Sequence, residues 1–132
     1  MEGDHGGNFE HVPDPTGSGV ENLHSIWDSV IYEYGGYETL PLTESRWDWY
    51  TEQINNIVKG YPIDQSKLAL RDYEAWAEED LDIAINYVYK GFTAGEAPSD
   101  EYLATASQVI KTRIMYGGWR LADLIKDIYE EK

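Results

Sequence analysis

The sequence predicts an all-α domain of four or so helices behind a loop-rich N-terminal start. Three observations carry this. Apolar residues recur at three- and four-residue spacing over four stretches. Capping residues and glycine or proline stops stand at the ends of those stretches. The 132 residues are 42% hydrophobic and 14% aromatic, enough for one compact domain that buries roughly two-thirds of its surface.

Gly6-Gly7 and the segment from Pro13 to Gly19 are dense in turn formers and read as loop, with a short extended piece expected from Asn8 to Val12. The first helix is expected from about Asn22, a helix-start residue, to Glu33. Leu23, Ile26, Trp27, Val30 and Ile31 recur at helical spacing, and Gly35-Gly36 supply the stop. A second helix is expected from the N-cap Thr43 to Val58, ended by Gly60 and Pro62. Its inward face is Trp47, Tyr50, Ile54, Ile57 and Val58, while Trp49 falls off the stripe. A third is expected from Asp64 or Ser66 to Lys90 with Gly91 as C-cap, its acidic run Glu78-Glu79-Asp80 and Asp82 forming a solvated face. Thr93 to Pro98 reads as loop. Ser99 then caps a fourth helix reaching Tyr129, with Leu103, Ala106, Ile110, Ile114, Gly117, Leu121, Leu124 or Ile125, and Ile128 as its stripe. The Gly117-Gly118 pair costs that helix about 1 kcal/mol per glycine relative to alanine, so close helix-to-helix approach, or else a kink, is expected there. Arg120 reads as a surface or inter-helix ion-pair residue.

Charge and cysteine content limit the function. With 10 Lys and Arg against 25 Asp and Glu, the net charge is −15, which argues against holding nucleic acid on a basic surface. Chemistry on a phosphate substrate would have to be led by a bound metal, whose own charge is then the main local positive one. The absence of cysteine rules out a disulfide framework and thiolate ligands. Residues Glu2 to His5 carry neither the basic nor the apolar region of a signal peptide, so none is expected, and no apolar run approaches a membrane span.

The stretch Asn22-Leu23-His24-Ser25-Ile26-Trp27-Asp28 is where chemistry concentrates. Residues four apart on a helix stand one above the other, so His24 and Asp28 bring an imidazole and a carboxylate to one point. On spacing alone an ordinary i,i+4 surface pair is the stronger reading. The other is one side of a zinc site, which two ligands cannot close. Gly6-Gly7-Asn8 reads as a turn needing positive φ, and His5 and His11 read as exposed.

Taken with that stretch, Asp4-His5-Gly6-Gly7-Asn8, Trp76-Ala77-Glu78-Glu79 followed by Tyr87-Val88-Tyr89, and Gly117-Gly118-Trp119-Arg120-Leu121-Ala122 make four motifs in order. Together they resemble the C-terminal half of the S1/P1 nucleases, zinc enzymes that cut single-stranded DNA and RNA and remove 3′-phosphates. The resemblance covers essentially the whole chain. It implies a multi-helix bundle of the type shared with zinc-dependent phospholipase C, and a cluster of three zinc ions in the complete domain. His24 and Asp28 would be ligands of one of these, while Asn8, Gly6, Gly7 and His5 line the base pocket. It also implies that residues 1–132 form the second half of that domain, and that the remaining ligands lie in a first half not found before Met1. On this expectation the chain alone is inactive, exposes apolar surface meant for that half or for self-association, and comes from a secreted protein. A non-catalytic helical binding module and a phospholipase C-like phosphodiesterase stay open as alternatives; the Gly-Gly-Asn turn favours the nuclease.

Overall fold

The computed structural model describes residues 3–13, 21–29, 40–61 and 63–130. It is mostly helical: α1 Leu23–Ser29, α2 Glu44–Gly60, α3 Gln65–Ala69, α4 Tyr73–Ile83 running into a π-helical turn Ala84–Val88, and α5 Asp100–Glu130. Among the described residues no strand forms, and a single antiparallel bridge joins His11 to Asn22. No described helix is long and apolar enough to cross a membrane. The all-α class read from the sequence is therefore the one observed. The expected second half of the first helix with Val30 and Ile31, its Gly35-Gly36 stop, most of the Pro13 to Gly19 loop, and the Pro62 stop lie outside the described residues.

Caps set the helix starts as local chemistry requires. The Thr43 side chain accepts from the Arg46 amide at the head of α2, and Asp64 accepts from the Ser66 amide at the head of α3. Ser99 Oγ accepts from the Tyr102 amide at the start of α5. The single third helix expected from the sequence is instead interrupted, because Leu70 is extended (φ −76°, ψ 112°) and α4 starts afresh at Tyr73. The interruption carries no glycine or proline. Its signal is Asp72, an acidic residue directly before the new helix, where a side-chain cap is favoured.

The chain divides into two compact units, residues 1–36 with 73–108, and residues 37–72 with 109–132. In the first, Val12, Leu23, Ile26 and Tyr102 are buried together, with Trp27, Val88, Phe92 and Leu103 packed on them. Tyr102 gathers this core. Its hydroxyl accepts from the Trp27 indole N–H at 2.7 Å and donates to the Val88 carbonyl at 2.6 Å, and its ring meets Trp27 edge-on at 6.2 Å. The segment before α1 is stitched to the helix start, since the Leu23 amide donates to the Glu10 carbonyl and the Val12 amide to the Glu21 carbonyl. The extended piece expected over Asn8 to Val12 thus narrows to the residues around His11, because Asn8 and Phe9 belong to a turn.

In the second unit the buried side of α5 is Met115, Tyr116 and Arg120. The Tyr116 hydroxyl accepts from the Asp64 amide at 3.0 Å, and Arg120 donates to the Lys67 carbonyl at 3.3 Å while its guanidinium lies over the Tyr116 ring. Arg71 pairs with Asp127. This corrects the expected stripe: Ile114, Leu121, Ile125 and Ile128 are exposed, because polar contacts to the α3 backbone turn the neighbouring face inward. Arg120 is accordingly buried rather than superficial. On α2, Trp47 is the exposed tryptophan, while Trp49, expected off the stripe, is half-buried under the Arg46 guanidinium at 4.4 Å. A Cβ added at Gly117 or Gly118 meets no described atom within 4 Å, so close approach does not offset these glycines. Gly118 instead borders an apolar cavity of about 370 Å³ with Ile54, Val58, Ile114, Met115 and Trp119.

Replacing Tyr102 by Phe strands the Trp27 N–H and the Val88 carbonyl, and is expected to cost about 1–3 kcal/mol, read by urea unfolding followed through tryptophan fluorescence. Gly117→Ala adds a methyl into open space and restores helix propensity. It is expected to raise stability by up to about 1 kcal/mol in the same assay, and a loss would show that the position is crowded.

Candidate metal centre

The turn that precedes α1 runs through three residues of positive φ, His5 at 53°, Gly6 at 69° and Gly7 at 87°. Glycine is needed at the last of these for a second reason: a Cβ on Gly7 would lie 3.2 Å from the His24 amide nitrogen and 3.3 Å from Leu23 Cβ. The turn therefore lies directly against the first residues of α1. Its backbone is used there, because the Gly7 carbonyl accepts from the Glu10 amide and from the His24 amide.

The Gly6 carbonyl lies 3.1 Å from His24 Nδ1. A carbonyl only accepts, so Nδ1 carries the proton and Nε2 of a neutral ring is left with its lone pair. Nε2 stands 3.2 Å from Asp28 Oδ2, and both side chains reach solvent. Two acceptors facing each other at that distance require a cation between them, a proton or a metal ion. The separation suits either: an N–H···O bond reaches about 3.2 Å, and tetrahedral zinc with bonds of about 2.0–2.1 Å places neighbouring donors roughly 3.3 Å apart. The residues present thus fit one edge of a zinc site. Among the described residues no group of three or more His, Asp or Glu gathers as a complete site.

The other sequence-predicted residues lie in the same turn. Asn8 is exposed and its amide donates to the His5 carbonyl at 2.8 Å, which closes the turn on itself. His5 is exposed, and its ring meets that of Phe9 at 4.7 Å between centroids, tilted by 55°. His11 is exposed and serves through its backbone only, in the bridge to Asn22 and in accepting from the Gly95 amide. The run Glu78-Glu79-Asp80 and Asp82 is exposed apart from the half-buried Glu79. Sequence reasoning passes over three participants. Phe9, 65% exposed, extends the aromatic surface of His5. Asp4 accepts from the Gly6 amide through Oδ1, at 3.0 Å, and from the Tyr89 hydroxyl through Oδ2, at 2.5 Å. Asp4 and Tyr89 stand within motifs of the sequence, but nothing in those motifs marks their pairing, and the signal of Phe9 is an aromatic directly after a polar turn.

The Tyr89 hydrogen bond, ahead of the turn's amides, holds the Asp4 carboxyl below its ordinary value of 3.8. The same contact, with burial second, pushes the Tyr89 phenol from 10 up to about 12.

Comparison with known proteins places the chain in a lineage. The family model described as S1/P1 Nuclease matches residues 1–130. Among curated proteins of Arabidopsis thaliana, the chain is 31% identical to endonuclease 2 over 113 residues, covering 82% of the chain and 38% of that relative. It is 30% identical to endonuclease 1 over 117 residues, 83% of the chain and 37% of the relative. With endonuclease 5 it shares 25% identity over 125 residues, 84% of the chain and 39% of the relative. The chain thus spans less than two-fifths of the length of these curated relatives. No solved structure matches it at a significant level.

The Asp4–Tyr89 contact makes a two-sided pH prediction. A depressed carboxyl contributes stability that is present above its unfolded pKa and lost as pH falls through the depressed value. A raised phenol contributes stability that is full below its unfolded pKa of 10 and lost as pH rises through about 12. The Tyr89 ring resonance is expected to titrate near 12, and Asp4→Asn to return it toward the ordinary tyrosine range, in an NMR pH series.

Proposed function

Because the chain belongs to the S1/P1 nuclease family, we propose that it contributes part of a zinc-dependent site that hydrolyses phosphodiester bonds of single-stranded DNA and RNA and removes 3′-phosphates. The observation that carries this reading is the arrangement of His24, with Nδ1–H on the Gly6 carbonyl and Nε2 facing Asp28 at 3.2 Å. In this reading His24 and Asp28 are two ligands of one zinc ion. Zinc bound there lowers the pKa of a coordinated water toward neutrality and offsets charge on the phosphate. The chain's own residues do the rest of the work assigned to this half. The Gly6 carbonyl keeps the His24 ring in the tautomer that offers Nε2. Asn8 and the backbone of Gly6 and Gly7 contact the base, and His5 with Phe9 offers ring faces for stacking.

A zinc ion needs about three protein ligands even where it also holds water; two are found among the described residues, and the proposal assigns the remainder to another polypeptide segment. The chain by itself then binds zinc weakly and hydrolyses nothing, and the full cluster of three ions forms only with the companion half. The exposed apolar residues Ile114, Leu121, Ile125 and Ile128 are consistent with a surface meant for such a segment or for a second copy. Family membership likewise supports export from the cell. With the net charge at −15, the metal and the aromatic turn, not a basic surface, attract the substrate.

Calorimetric zinc titration is expected to show His24→Ala binding at least about 10-fold more weakly than the native chain; unchanged affinity would remove His24 from the ligand set. When a companion half restores activity, single-stranded DNA is expected to be cut and phosphatidylcholine left intact. The reverse outcome would point to a phospholipase C-like enzyme, and nucleotide binding without hydrolysis to a non-catalytic module. Phe9→Ala is expected to weaken nucleotide binding by about 1–3 kcal/mol in that assembly, the usual cost of losing one stacked base.

A further inference from the structure

A continuous set of contacts leads from the end of the π-helical turn to the ring of His24. The Tyr89 hydroxyl donates to Asp4 Oδ2 at 2.5 Å, and Asp4 Oδ1 accepts from the Gly6 amide at 3.0 Å. The carbonyl of that same residue, Gly6, accepts from His24 Nδ1 at 3.1 Å, and His24 Nε2 faces Asp28 Oδ2 at 3.2 Å. Each oxygen of Asp4 thus has a separate task, one on the turn and one on the tyrosine.

The arrangement answers a physical need. The turn at His5, Gly6 and Gly7 lies in the left-handed region throughout, a conformation that chain entropy does not hold by itself. A carbonyl in such a turn fixes an imidazole only if its own peptide is held. Gly6 is held from both sides, by Asp4 at its amide and by His24 at its carbonyl. Without the phenol to anchor it, Asp4 would be held by the amides of the turn alone. Tyr89 is suited to this because it is anchored itself: its amide donates to the Ala84 carbonyl at 3.0 Å, closing the π turn. Such turns are frequent beside functional sites.

We propose that Tyr89 and Asp4 are positioning residues for His24, acting through the Gly6 peptide to keep Nδ1 protonated and Nε2 directed at the metal position beside Asp28. This inference rests on the reading of His24 as a metal ligand and adds to it the groups that prepare the ligand before any metal arrives. Residues that orient a metal-binding imidazole through its other nitrogen change affinity without touching the ion. At neutral pH the tyrosine is a neutral donor and the aspartate a charged acceptor, so the contact is formed where zinc would bind.

The test uses the native chain, Tyr89→Phe, Asp4→Asn and His24→Ala, with two readouts. One is the tautomer of His24 in the zinc-free protein, from nitrogen chemical shifts of the ring. The other is zinc affinity by calorimetry. The native chain is expected to hold His24 as the Nδ1–H tautomer. Tyr89→Phe, which removes a single oxygen from an exposed ring, is expected to mix the two tautomers and to lower zinc affinity about 10-fold. Asp4→Asn reads the same link from the other end and is expected to do the same while the Trp27 indole N–H resonance reports an intact core. The proposal is overturned if both variants keep the native tautomer and affinity, or if the native ring is predominantly Nε2–H. In those cases a loss of zinc binding in His24→Ala would still uphold the ligand assignment. Unchanged binding in His24→Ala would overturn that assignment instead, whatever the tautomer shows.

Discussion

The close approach of the Gly6-Gly7 backbone to the first residues of α1 is the constraint on which the site depends. A Cβ at Gly7 would press on the His24 amide and on Leu23 and would be strained at a φ of 87°, so glycine is the residue that suits the turn there. From that position one peptide carbonyl reaches the imidazole and the next reaches the helix amide. The rest of the first unit supports this approach from behind. Leu23, wholly buried, carries the helix start into a core organised by Tyr102, and the bridge between His11 and Asn22 fixes where the turn ends and the helix begins.

Much of this was legible in the sequence, and the parts that were not share a cause. Helical spacing, the caps Thr43, Asp64 and Ser99, and the glycine turn are local signals, and they mark elements that local chemistry sets. The pairing of His24 with Asp28 is local too, since helix geometry alone brings residues four apart together. What escaped was non-local. Apolar spacing identified a stripe on α5 but not which side faces inward, because Tyr116 and Arg120 are drawn to the backbone at Asp64 and Lys67, more than 50 residues away in sequence. The role of Asp4 escaped for the same reason, its partner being Tyr89. The interruption at Leu70 was hidden differently, by an aspartate start signal without the glycine or proline that usually marks a break.

Membership of the S1/P1 nucleases gives the acidic composition a coherent sense. A protein of net charge −15 repels a polyanion over most of its surface. In such a field the divalent ion proposed beside His24 and Asp28 would reverse the sign locally, so that attraction would be confined to it and not spread along the surface. The ring faces of His5 and Phe9, where the proposed function places a base, would add a contact that is indifferent to charge. In the proposed function, a substrate that binds through its bases and one phosphate fits this balance better than a rigid duplex, whose bases are turned inward.

The contact between Asp4 and Tyr89 closes a loop of 85 residues, whereas helices close over four. The entropy of loop closure grows with length, and structures built on distant contacts form more slowly than those built on near ones. The helices can therefore assemble early, while the clamp on the turn is completed late. During synthesis the same fact has a temporal form: His24 emerges from the ribosome before the tyrosine proposed to secure its setting. On the roles proposed for His24 and Tyr89, metal capture is deferred by the order of the chain itself, and a polypeptide ending before residue 89 would offer no prepared imidazole to a passing ion.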